Sequence, residues 1–328
     1  MATAIAIAAS TTATASPNAS SGCIGGSGSD STQCGFDADA SGIHSVAVGV
    51  GSQASGAHST AQGPYSIASG QAAVATGPGA AATADFATSM GSSSSASGLG
   101  SSAFGVASIA SGNFNSAFGR NAFAGNDLST AIGSNAWANG SNSSAFGMSS
   151  LATDAFASAL GASSQATAKF GTAAGFGSEA TGLGSLAVGA FANASGEGAT
   201  SLGFEASAGG NEAVAVGNYA HANGSRSIAI GNWETVANAN DSIAFGADAQ
   251  ATAAGAVAIG SGSVADQADT VSVGSATTQR RITNVAAGTS STDAVNLGQL
   301  QAAIAALSPT QQTVTMNRQI AVYGRKMT

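Results

Sequence analysis

Ser102–Gly119 reads SAFGVASIASGNFNSAFG, so that Ser-Ala-Phe-Gly returns after 14 residues. The same spacing runs outward in both directions. A glycine stands at every 14th position from Gly35 to Gly231 and, after one step of 15 residues, at Gly246, Gly260 and Gly274. With so short a period each unit buries its apolar side only against its neighbours, which predicts a stack of coils rather than a globule around one pocket. With coils about 4.8 Å apart, the stack from Gly35 to Gly274 extends over roughly 80 Å. A long repetitive rod favours adhesion or scaffolding over catalysis.

The phases within one unit carry the local structure. The three residues before the glycine are VAV at 46–48, SAF at 102–104 and 116–118, TAI at 130–132 and IAI at 228–230, each a short strand. The last of the three is usually large and apolar and the middle one is Ala or Ser. Neighbouring strand residues face opposite ways, so both faces read as buried, one in the lumen and one under further copies of the chain. The fifth residue after the glycine is Ala in every unit from Ala40 to Ala222. Such uniformity marks a narrow interior, where a larger side chain would overpack, and places a second short strand opposite the first. Two residues later come Gly42, Gly56, Gly70 and their equivalents, replaced in places by Asn126 or Asp154. These are residue types that accept positive φ in tight turns. Two strands and two turns per unit make an all-β solenoid.

Composition agrees once the phasing is considered. Gly, Ala and Ser dominate and charged residues are only 7%, which alone would suggest low complexity, but the apolar residues recur at fixed phases and can therefore build a core. The formal charge of −8 argues against a nucleic-acid partner, which requires clustered Lys and Arg. Only Arg120, Lys169 and Arg226 lie in the repeats. Arg280, Arg281, Arg318, Arg325 and Lys326 all lie beyond them, marking a domain boundary. No run of about 20 apolar residues is present, and the apolar opening Met1–Ala9 is too short for a secretion signal or a membrane span.

Cys23 and Cys34 stand just ahead of the regular units. In an oxidising compartment they could close a small loop that pins the first coil; two free thiols are the alternative. His44 and His58 are one period apart and should stack, but without a recurring carboxylate at that phase no metal site is expected. Catalytic signatures are missing: there is no H-E-x-x-H, no P-loop lysine and no nucleophile elbow. The expectation is a non-enzyme without cofactors.

Ser227–Gly231 (SIAIG) and Ser242–Gly246 (SIAFG), followed by RRITNVAAGTSSTDAVNLGQLQAAI from Arg280 to Ile304, resemble the head and neck of trimeric autotransporter adhesins, the YadA-like family. The resemblance implies a left-handed parallel β-roll assembled as a homotrimer, then a neck and the start of a coiled-coil stalk. It further implies display on the outer membrane of a Gram-negative bacterium and binding to host extracellular matrix or cell surface. Membrane attachment would run only through an anchor absent from this chain, since residues 310–328 show no sign of one. Leu297, Leu300, Ile304 and Leu307 follow the spacing of a coiled-coil seam, the expected trimerisation contact. Asp293 could cap its helix, Gly298 weakens it, and Ser308-Pro309 end it.

The organisation expected is therefore an N-terminal degenerate or capping segment over 1–30, the β-roll head over 31–274, the neck over 275–293, the stalk start over 294–308 and a tail of unassigned role over 309–328. The fourth residue after each glycine varies most and should face outward. At Ile109, Phe123, Trp137 and Leu151 it is large and apolar in four consecutive coils, a candidate stripe for a ligand or a neighbouring chain. The function expected is multivalent, non-enzymatic adhesion. A structural spacer or phage-fibre module without its own ligand is the alternative, and ice binding would require an outward Thr ladder that the variable column does not contain.

Overall fold

The computed structural model describes residues 22–307, so the Met1–Ala9 stretch, most of the 1–30 segment, Ser308-Pro309 and the 309–328 tail lie outside the described residues. Two compact units meet at the Thr278/Gln279 boundary and are taken separately.

The first unit is a β-solenoid in which each coil has a three-residue strand ending at the period glycine, such as Ser102–Phe104, and a two-residue strand, such as Ile109–Ala110. Equivalent strands of successive coils pair in parallel and in register, Ser102 with Ser116 and Ile109 with Phe123. The result among the described residues is two sheets, one of long strands and one of short ones. At the N-terminal end, Cys23–Gly25 turns back antiparallel on Thr32–Cys34. This covers an edge that would otherwise offer unpaired backbone groups to another chain. Cys23 and Cys34, directly opposite in that pair, are disulfide-bonded.

The hydrophobic core cluster of the described residues is composed of alanine alone. Ala47, Ala61 and Ala103 from the long strands face Ala54, Ala68 and Ala110 from the short ones, all without solvent exposure. Each buried methyl contributes only about 0.8 kcal/mol, but the backbone ladders on either side are nearly complete. Serines at the third position after the glycine close the turn as well: the Ser66 hydroxyl donates to the Gly63 carbonyl at 2.9 Å and Ser108 to Gly105 at 2.9 Å.

This lumen is the inner face expected of the long strand, and the outer face is the one expected to lie under further copies of the chain. Only the central Ala points inward. The large residue before the glycine faces outward and is half-exposed or exposed at Met90, Phe118, Ile132, Phe146 and Leu160. A cavity filled by methyl and hydroxymethyl groups has no room for Phe or Ile, so these side chains are forced to the outer face.

The glycines fall into two classes, and the expectation of positive φ holds for one. Period glycines such as Gly119 have φ of +132°. The second set, Gly42, Gly56 and Gly70, does not take positive φ. There the chain passes so close to the next coil that a Cβ on Gly56 would strike the Gly70 carbonyl oxygen. Left-handed backbone instead occupies both turn corners, two and nine residues after the glycine, and includes Tyr65, Phe114, Phe156 and Tyr219. Each such residue costs about 1–2 kcal/mol. It is held by a bond from the preceding coil, as when Phe114 N–H donates to the Leu99 carbonyl at 2.8 Å.

In the second unit the helix spans Leu297–Ala306. Its N-cap is Asn296 rather than the expected Asp293. The Asn296 side chain accepts from the Gln299 N–H at 3.0 Å, and the Gln299 side chain reaches back in a capping box. Asp293 serves the preceding turn, where one carboxylate oxygen accepts from the Ser290 and Thr289 N–H groups, both at 2.9 Å. Those bonds hold its pKa below the ordinary carboxylate range, Ser290 having the larger effect. Gln299 also clasps Gly288, accepting from its N–H at 2.8 Å and donating to its carbonyl at 2.9 Å. The segment before the helix is thereby tied to its first turn.

Candidate functional site

The candidate functional surfaces of the solenoid are columns of side chains repeated from coil to coil. Three kinds arise from the geometry: the outer face of the long strands, the outer face of the short strands, and the turn corners.

On the long-strand face, outward residues on neighbouring coils stack. Phe104 and Phe118 have ring centroids 4.7 Å apart. Val46, Val74, Val214 and Ile228 also face outward, two residues before those of the main apolar column, and are half-buried. The main column is apolar, whereas the flanking one mixes these residues with Ser and Thr such as Thr60, Ser102, Ser116 and Thr130.

On the short-strand face, Ile109, Phe123, Trp137 and Leu151 occupy four successive paired strands. Phe123 and Trp137 stack at 4.2 Å. Ile109 and Trp137 are exposed, whereas Phe123 between them and Leu151 beyond Trp137 are half-buried. The column continues as Gln165, Glu179 and Asn193, with Asn193 donating to the Glu179 carboxylate at 3.1 Å, so the apolar stretch has a definite end.

The turn corners were not recognised as surfaces in the sequence. Phe156 and Phe170 stack at 5.3 Å, with the Lys169 ammonium 5.0 Å from the Phe170 ring. On another run of corners Phe176, Phe191, Phe204 and Tyr219 form an edge-to-face ladder across four coils, with centroid separations of 5.2, 6.1 and 5.5 Å. The available signal was an aromatic at a phase one or two residues after the period glycine, a place that turn chemistry alone does not explain.

His44 and His58 stack with centroids 5.0 Å apart. Asp30, at the same corner one coil earlier, lies 3.4 Å from His44 Nε2. No group of three or more His, Cys, Asp or Glu suited to a metal occurs among the described residues. Arg226, at a turn corner, forks onto Asp241 of the next coil at 2.7 and 2.8 Å, and these bonds keep the Asp241 carboxyl below its usual range. Among the described residues no helix is long and apolar enough to cross a membrane. In the second unit, Leu297, Leu300, Ile304 and Leu307 are all exposed, Leu297 at 68%. A short helix with so much open apolar surface has no cover of its own.

Comparison with known proteins gives these columns a context. The family model described as the YadA head domain repeat matches residues 40–66, 68–94, 96–122, 124–150, 180–206, 208–232, 237–263 and 251–277, more than half of the chain. The coiled stalk of trimeric autotransporter adhesins matches 281–317. The coils between 151 and 179 lie outside the matches, although their strands continue without interruption. No curated protein matches the chain. Among solved structures, the collagen-binding domain of the Yersinia adhesin YadA is similar at 28% identity, over 59% of this chain and 84% of that one, with a TM-score of 0.26. On the family matches, the chain belongs to the YadA-like trimeric autotransporter adhesins and is a bacterial cell-surface protein built from adhesin domains.

Proposed function

We propose that the chain acts as the head of a non-enzymatic, homotrimeric adhesin that binds host extracellular matrix or cell-surface molecules through many weak contacts repeated along three chains. The observation that carries this reading is the outer face of the long strands. Over Met90–Leu160 and again over Val188–Ile259 the residue before the period glycine is Met, Val, Ile, Leu or Phe, half-buried or exposed, backed by an alanine-filled lumen. A single chain leaves that surface in water, and mutual packing of three copies removes it. Leu297, Leu300, Ile304 and Leu307 continue the same logic in the helix, where three short helices form a seam that one could not sustain. The short-strand stripe of Ile109, Phe123, Trp137 and Leu151 then remains for a ligand or a second contact between chains. Display would be on the outer membrane of a Gram-negative cell, and the domain division is the one set out from the sequence.

The test combines mass and binding. Sedimentation equilibrium of the full chain should give three chains, and a version ending at residue 279 should dissociate more readily. Immobilised matrix proteins, collagen among them, should then show saturable binding. A stable monomer would remove the trimer, and absence of saturable binding across a broad panel would leave a spacer.

A further inference from the structure

The single break in the 14-residue period falls between Gly231 and Gly246, and the extra residue sits in the turn Asn232-Trp233-Glu234. Both Trp233 and Glu234 take left-handed backbone, with φ of 56°, where every other coil has one such residue at this corner. Thr235 closes the widened turn from inside: it is fully buried and its hydroxyl bonds the Asn232 and Gly246 carbonyls at 3.0 and 2.9 Å. The consequence outside is that Trp233 stands 74% exposed. An open cavity of about 470 Å³ lies here, lined by Tyr219, Trp233, Glu234 and Asp248. The aromatic ladder from Phe176 runs to Tyr219 at the edge of this cavity.

The lining is two aromatic side chains and two carboxylates. Glu205, at the equivalent corner one coil before Tyr219, adds a third negative charge. From 171 to 279 the only Lys or Arg is Arg226, and its guanidinium is already engaged by Asp241. The site therefore offers π-faces and uncompensated negative charge to whatever enters. Aromatic faces attract cations, and a planar guanidinium can stack on a ring while forking its N–H groups onto a carboxylate, which a compact ammonium cannot do.

We propose that this cavity is a docking site for an arginine side chain presented by a polypeptide partner, created by the one-residue insertion. It is separate from the long-strand face and the short-strand stripe, and does not depend on either being a contact. The occupant follows from charge complementarity on a chain whose formal net charge is −8.

The test titrates the full chain with acetyl-Gly-Arg-Gly-amide and follows saturation transfer by NMR, beside the citrulline and lysine counterparts and tetramethylammonium. Expected is saturable binding of the arginine peptide, none of the neutral citrulline peptide, and weaker binding of lysine and tetramethylammonium. Trp233→Ala and Glu234→Gln should each weaken it at least about fivefold, as should deletion of Glu234, which restores the 14-residue step. Trp233 is largely in solvent, so Trp233→Ala should melt as the parent does and its loss of binding reports the site. Equal binding by Trp233→Ala, equal binding of citrulline, lysine or tetramethylammonium, or a non-saturating response would each overturn the proposal.

Discussion

Phe104 and Phe118, one coil apart on the long-strand face, stack with their ring planes only 3° from parallel. Their order is imposed by the strand register, which pairs Phe104 with Phe118 and Phe118 with Ile132. Phe118 nevertheless remains 38% exposed in the single chain. Of the roughly 200 Å² such a side chain can bury, about 75 Å² stays open, worth about 2 kcal/mol per chain if covered by a partner. Phe118→Ser should therefore leave the circular dichroism of the solenoid intact and raise the concentration at which trimers dissociate. A variant that melts earlier as a monomer, with association unchanged, would place Phe118 in the fold instead of the interface.

The period was legible because glycine marks it, and the alanine phase because Ala40 through Ala222 never vary. Which way the long strands face was not legible. Alternation reports two environments, but with Ala on one side and Phe on the other the sequence does not say which is the lumen; only the width of the coil does. Stacking hides in the same way. Gly56 and Gly119 look alike as turn residues, yet one is required by contact with Gly70 alone and the other by backbone conformation together with contact with Gly133. The cavity at Trp233 was visible only as a step of 15 in place of 14. Nothing local in Asn-Trp-Glu announces that Tyr219 and Asp248 lie on either side.

Glycine substitutions separate the two demands. At Gly119, φ is +132° and a Cβ would lie 2.5 Å from the Gly133 carbonyl oxygen. Gly119→Val should break the stack locally at a cost of several kcal/mol, on the order of 3 or more, seen as new protease cleavage near residue 119. At Gly184, φ is +65° and a Cβ meets nothing within 4 Å. Gly184→Ala should cost only about 1 kcal/mol. Comparable destabilisation by the two variants would show that conformation alone governs these positions.

The Cys23–Cys34 bond closes a short loop, the two residues being 11 apart, at the first described coil. Chain-entropy reasoning assigns a loop of that size about 3 kcal/mol. Because each coil contacts only its neighbours, that contribution acts at one end. Reduction, or the double variant Cys23→Ser with Cys34→Ser, should speed amide exchange in the coils through about Gly63 and leave those beyond Gly105 unchanged. Loss of protection along the whole rod would mean that the stack unfolds as one cooperative body.

Asp293 links the segment before the helix to pH. Its carboxylate accepts from the Ser290 and Thr289 backbone N–H groups, and these bonds lower its pKa in the folded chain. A depressed folded pKa means that the stabilisation is fully present above the unfolded value and is lost as pH falls through the folded one. At neutral pH the turn is intact, and order should decline only as the pH falls below the ordinary carboxylate range. The amide resonances of Thr289 and Ser290 should titrate together with a midpoint below that range. Asp293→Asn should abolish the titration while leaving the Asn296–Gln299 capping box, and with it the helix start, in place. A midpoint at or above the ordinary value would show that those two bonds do not favour the ionised form, and the turn would then owe its shape to the Gln299 clasp on Gly288 instead.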